Sequence, residues 1–120
     1  MDSEIIFHNW LLNYLKEKLA KDYSDIAINP EGDKKHPFQG CYPDMILNSH
    51  GLTVGIVEVE TENSLTEDKA KTWKTLSQLN VKLMLIVPER LKMKVASLLW
   101  DYGIAQKVSI GGYEIKITMP

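Results

Sequence analysis

Hydrophobic and polar positions change period several times along the chain, and each change marks an element. From Ser3 to Lys21, Ile5, Ile6, Trp10, Leu11, Leu12, Leu15 and Leu19 recur at three- and four-residue spacing. That spacing predicts a helix with a wide apolar stripe, capped by Asp2 or Ser3. Asp25 to Asn29 reads as a short strand stopped by Pro30. Pro30 to Tyr42 holds Gly32, Pro37, Gly40 and the run Lys34-Lys35-His36. It is a polar loop, long enough to suggest a binding role or a mobile flap. Two apolar runs then flank Ser49-His50-Gly51, from Pro43 to Asn48 and from Leu52 to Glu60. They predict a β-hairpin with a three-residue turn.

A second helix is expected from Ser64 to Leu79, with Ser64 and Glu67 as a capping box and Ala70, Trp73, Leu76 and Leu79 inward. Val81 to Val87 is an almost unbroken apolar run ended by Pro88, which suggests an interior strand reached by a crossover. Glu89 to Tyr102 is amphipathic and closes at Gly103. Val108 to Ile110, Gly111-Gly112 and Tyr113 to Thr118 predict a final hairpin. Trp10, Trp73 and Trp100 are expected in the core. The order α-β-β-β-α-β-α-β-β predicts an α/β fold, with a mixed sheet flanked by helices.

Strand parity then selects candidate chemistry. Residues two apart on a strand face the same way, so Val54, Ile56, Glu58 and Glu60 share a face. The two carboxylates sit about 6.5–7 Å apart along the strand. If Asn48 opposes Leu52, Asp44 lies opposite Ile56 and diagonal to Glu58. Three acids then meet on an apolar sheet, where they repel unless a cation neutralises them. Hard oxygen ligands select Mg²⁺, Mn²⁺ or Ca²⁺. With no cation bound, Asp44→Asn is expected to leave stability level or raise it. Glu4, His8, Leu11 and Leu15 fall on one line of the first helix, so Glu4 and His8 can reach what that line covers. Glu4 also places favourable charge at a helix N-terminus. His8 and His50 are read as structural.

With 120 residues the chain makes one domain. A net charge of −2 argues against a bulk electrostatic binder of nucleic acid, but the charge is uneven. Asp44 to Thr66 carries Asp44, Glu58, Glu60 and Glu62 with no Lys or Arg. Lys69 to Lys94 carries Lys69, Lys71, Lys74, Lys82, Arg90, Lys92 and Lys94 against Glu89. An acidic pocket beside basic helices suits a metal site that faces a phosphodiester, although any single lysine serves equally to solvate a helix. Lys34, Lys35 and His36 suit a phosphate backbone or a solvated loop. No phosphate-binding glycine loop, zinc ligand set or nucleophile elbow is present. One cysteine, an acidic N-terminus and no long apolar run lead to the expectation of a cytoplasmic protein without a membrane partner.

Pro43-Asp44, the hairpin gap and Glu58-Val59-Glu60, in this order of elements, resemble the PD-(D/E)XK nuclease superfamily. The resemblance runs from Ser3 to Pro88. It implies a restriction-endonuclease-like αβββαβ core, here with an added helix and a C-terminal hairpin. It further implies Mg²⁺ or Mn²⁺ held by Asp44, Glu58 and the Val59 carbonyl, with Glu4 as the extra helical acid. Lys69 or Lys71 would be the basic residue on the following helix. The resemblance implies hydrolysis of nucleic acid, with DNA as substrate, by a chain that can form a homodimer. The family lysine two residues after the second acid is Glu60 here. Either Glu60 replaces it, or Lys69 or Lys71 supplies its charge, or catalysis is lost. In the last case the chain is a nuclease-fold module for nucleic-acid binding or dimerisation. A metal enzyme acting on other phosphoesters is a third reading.

Overall fold

The computed structural model describes residues 3–115. Helix α1 spans Ser3–Leu19 and strand β1 Asp25–Ile28. Strands β2 (Met45–Ser49) and β3 (Leu52–Val59) form the hairpin. Helix α2 (Lys69–Ser77) leads to β4 (Lys82–Pro88). A single 3-10 turn, Glu89–Leu91, opens onto helix α3 (Lys92–Asp101), and β5 (Val108–Tyr113) follows. The strands lie side by side in chain order. β1, β2 and β3 pair antiparallel, and β3, β4 and β5 pair parallel. The fold is thus a mixed five-stranded sheet flanked by helices. No helix among the described residues is long and apolar enough to cross a membrane.

The sheet buries both faces. Met45, Leu47, Val57 and Val59 pack with Leu11 and Leu12 of α1. Ile46, Ile56, Leu83, Leu85 and Val87 pack with Trp73 of α2 and with Val95 and Leu99 of α3. The continuous apolar run of β4 follows from this, since its alternate residues serve opposite cores.

The hairpin turn differs from expectation. Ser49 pairs with Leu52, so the turn has two central residues, His50 (φ 51°) and Gly51 (φ 82°). Left-handed backbone at both matches the twist of two-residue hairpins. Alone, this register would put Asp44 and Glu58 on opposite faces. A bulge corrects it. Asn48 pairs with Thr53 but Leu47 pairs with Gly55, which leaves Val54 over. Past the bulge Met45 faces Val57, so the next pair outward is Asp44 and Glu58. One extra residue restores the phase that brings the two acids together. Val54 itself leaves the shared face and is 42% exposed.

Three further expectations change. The second helix begins at Lys69, because the Ser64 hydroxyl donates to Glu60 Oε1 (2.8 Å) and accepts from the Thr61 N–H (2.8 Å). No capping box forms, and Asp68 at the helix start makes no side-chain cap. Gly111-Gly112 lies inside β5 and is not a turn. A Cβ on Gly111 would fall 2.8 Å from Ile86 Cδ1, while on Gly112 it would meet only the flexible side chains of Glu89 and Lys92. The rest of the expected second arm, from Lys116 to Thr118, lies outside the described residues. Of the three tryptophans only Trp73 is core. Trp10 is 51% and Trp100 70% exposed, because each sits off the line of buried residues on its helix.

Candidate active site

Asp44, Glu58, Val59, Glu60 and Lys69 line one cavity of about 330 Å³. His8, Glu31, Lys34, Tyr42, Ser64 and Thr72 complete most of its wall. It opens near the carboxyl end of β3, beside the parallel pair of β3 and β4, where α/β sheets commonly bind ligands.

Asp44 is its centre. One oxygen, Oδ2, accepts from the Val59 N–H (2.8 Å) and from His8 Nε2 (3.2 Å). Burial pushes the Asp44 carboxyl up. The hydrogen bonds from His8 and Glu58, the His8 charge and the Val59 N–H outweigh it and hold the group below its ordinary value. Burial pulls His8 down, but the hydrogen bond and charge of Asp44 raise it above 6.5 overall. Glu58 is pushed well above 4.5, first by burial and then by the Asp44 charge. It therefore keeps its proton to higher pH than an ordinary glutamate and, while it does, donates to Asp44. In that state the buried acid pair shares one proton beside His8.

Glu60 faces the same cavity but is already occupied. Oε2 accepts from Trp73 Nε1 (3.0 Å), Oε1 accepts from the Ser64 hydroxyl (2.8 Å), and Lys69 Nζ lies 3.6 Å from Oε1. Burial raises its pKa against the counter-pull of Lys69, Trp73 and Ser64. Burial lowers the Lys69 pKa, yet the charges of Glu60, Glu58 and Asp44 raise it overall. Lys71, two residues on and so on the opposite side of α2, stands in solvent 3.5 Å from Asp68.

Glu4 lies elsewhere. It accepts from Thr61 Oγ1 and from Asn63 Nδ2, pinning α1 to the loop after β3, beside a different pocket. One helical turn later, His8 is the α1 residue that enters the cavity. It was assigned a structural role because a lone histidine in a helix usually has one. Among the described residues, the trio whose ligand atoms lie within 4.8 Å of one another is His8, Glu31 and Asp44. Asp44, Glu58 and Glu60, expected to share an ion, share the cavity without such convergence. Glu31 comes from the long loop, and no spacing marked it out. The chain matches no known family model, no curated protein and no solved structure.

The proton inventory predicts a pH profile. A raised histidine contributes stability that is present below 6.5 and is lost as pH rises through its folded value. A raised carboxyl such as Glu58 also costs stability progressively as pH climbs above 4.5, because the unfolded chain has already released that proton. The Asp44 contribution is lost only toward strong acid. Without divalent ions, thermal stability should therefore be greatest near about pH 5 and decline toward about pH 8. A melting temperature that stays flat across that window would contradict the shared-proton arrangement.

Proposed function

We propose that this protein is a divalent-metal-dependent hydrolase of nucleic-acid phosphodiesters, with DNA as substrate, on a restriction-endonuclease-like core. The observation that carries this reading is the convergence of His8, Glu31 and Asp44 in a cavity that Lys69 also lines. The donor set fits a metal. It offers one imidazole nitrogen and carboxylate oxygens, which suits Mn²⁺ and then Mg²⁺, and favours Mn²⁺ in affinity. When bound, the ion supplies a water of lowered pKa and offsets charge on the scissile phosphate.

The chain's own residues divide the remaining work. Asp44, held by the Val59 N–H, would be the fixed ligand, with His8 and Glu31 beside it, and Glu58 would hold the Asp44 carboxylate through its own proton. Lys69 places positive charge across the cavity for the phosphate oxygens. Glu60 in this reading neither binds the ion nor orients water. It holds Lys69 and the indole of Trp73, so α2 stays seated on the sheet.

That occupied Glu60 also favours a second reading, a nuclease-fold module without catalysis. A cleavage assay on linear, nicked and branched DNA with Mg²⁺ or Mn²⁺ separates the two. Metal-dependent cleavage is expected, stronger with Mn²⁺. Lys69→Glu should weaken DNA binding and flatten its salt dependence, while Lys71→Glu changes neither. Absence of cleavage on every substrate would leave the module reading.

A further inference from the structure

The residue after His8 is engaged with two of the three convergent ligands. Asn9 Oδ1 accepts the Glu31 backbone N–H at 2.8 Å, and Asn9 Nδ2 donates to the Glu31 carbonyl at 3.3 Å. This reciprocal pair fixes the backbone of an otherwise exposed loop residue against α1. The same Oδ1 lies 3.4 Å from His8 Nδ1. It can only accept there, so it holds a proton on Nδ1, and it is the Nε2 proton, now donated to Asp44, that a cation would displace to reach the imidazole.

The far side of the loop is tied by Asn29, which is fully buried. Its Nδ2 donates to the carbonyls of His36 (2.8 Å) and Pro43 (2.7 Å), and its Oδ1 accepts from the N–H groups of Lys35 (3.1 Å) and His36 (2.7 Å). With all four positions used, the Asn29 side chain fixes the loop's path without reaching His8 or Glu31, while its backbone N–H donates to the Asp44 carbonyl (2.9 Å). Among the described residues, the Asn9 side chain connects Glu31 and His8.

We infer that Asn9 is the positioning residue of the metal site, orienting His8 through Nδ1 and bringing Glu31 in from the loop. The inference rests on the metal reading above. Removing a group that orients a metal ligand typically lowers affinity about 10–100-fold. The half-buried Asn9 contributes little to the core, so its loss should barely affect folding.

The test is Mn²⁺ titration by calorimetry of the full chain, run beside metal-free thermal melts. Asn9→Ala should lose about 10–100-fold in Mn²⁺ affinity, with a melting temperature close to wild type. Asn9→Asp keeps the acceptor for both N–H groups and should retain wild-type affinity or exceed it. Asn13→Ala, one turn on, removes only a bond to the Asn9 carbonyl and should leave affinity unchanged. Equal affinity in Asn9→Ala and wild type would overturn the inference and spare the metal reading. So would an Asn9→Asp variant as weak as Asn9→Ala. A wild-type protein that binds no Mn²⁺ would remove the metal reading, and the inference with it.

Discussion

Asp44→Asn should reduce metal-dependent cleavage by at least about 100-fold, a larger loss than that from any orienting residue. The substituted amide keeps the shape of the side chain but removes the charge at the centre of the cavity. Its effect on stability without metal depends on pH. Between about pH 5 and 6, His8 is charged and donates to Asp44, so the variant should lose roughly 1.5–3 kcal/mol, the scale of a hydrogen bond to a charged group. As pH climbs through the folded His8 value, which lies above 6.5, the imidazole gives up its proton and the loss should shrink, because removing one carboxylate also relieves Glu58. The level or rising stability expected from acid repulsion alone is thus confined to the alkaline side. Sequence parity counted three acids but gave no sign of the imidazole beside them. Cleavage at full rate in Asp44→Asn would end the assignment of the site. A stability loss of equal size below and above the folded His8 value would exclude the His8 pairing.

The order of elements was readable because periodicity reports burial, and burial here alternates cleanly between two cores. Ile56 and Val57 face opposite helices, and that alternation is what a period of two records. The bulge at Val54 was not readable. It leaves no mark on the apolar pattern, and two errors offset each other. A turn read one residue too long and a bulge left uncounted still placed Asp44 and Glu58 on one face. The start of α2 was misread because Ser64 has two uses for its hydroxyl, and a buried Glu60 competes for it more strongly than a solvent-exposed helix end. Glu31 and Asn9 meet across a loop, and no spacing along the chain encodes such a contact. His8 was on the correct line of α1, one turn beyond the acid that the resemblance favoured. What separates the two is where α1 ends against the sheet. Glu4 overhangs the end of β3 and meets Thr61, while His8 lies over Asp44.

Glu60→Lys introduces the lysine that the nuclease superfamily resembled by this sequence carries at the matching position, yet it should unfold the protein before it improves catalysis. Glu60 is only 1% exposed. Its carboxylate receives three donors: the Trp73 indole N–H, the Ser64 hydroxyl and the Lys69 ammonium. A lysine there would offer these donors no acceptor and would bury a second ammonium beside Lys69. The lost pair counts for little of the cost, since the Lys69 side chain is 39% exposed; the unpaired ammonium buried at this position accounts for most of it, about 3–5 kcal/mol. For a chain of this size that lowers the melting temperature by roughly 10 °C or more. Glu60→Gln keeps a carbonyl oxygen for either Trp73 or Ser64 and should cost only about 1–2 kcal/mol. Melts of the two variants against wild type give the comparison, with cleavage measured on whatever remains folded. A stable Glu60→Lys protein with raised activity would show that the position belongs to the chemistry, and that the hold on Trp73 and Lys69 is incidental. The expected ordering, with Gln mild and Lys severe, follows from the neighbours. Trp73, Ser64 and Lys69 all offer donors to this position, so a lysine placed there alone meets no acceptor.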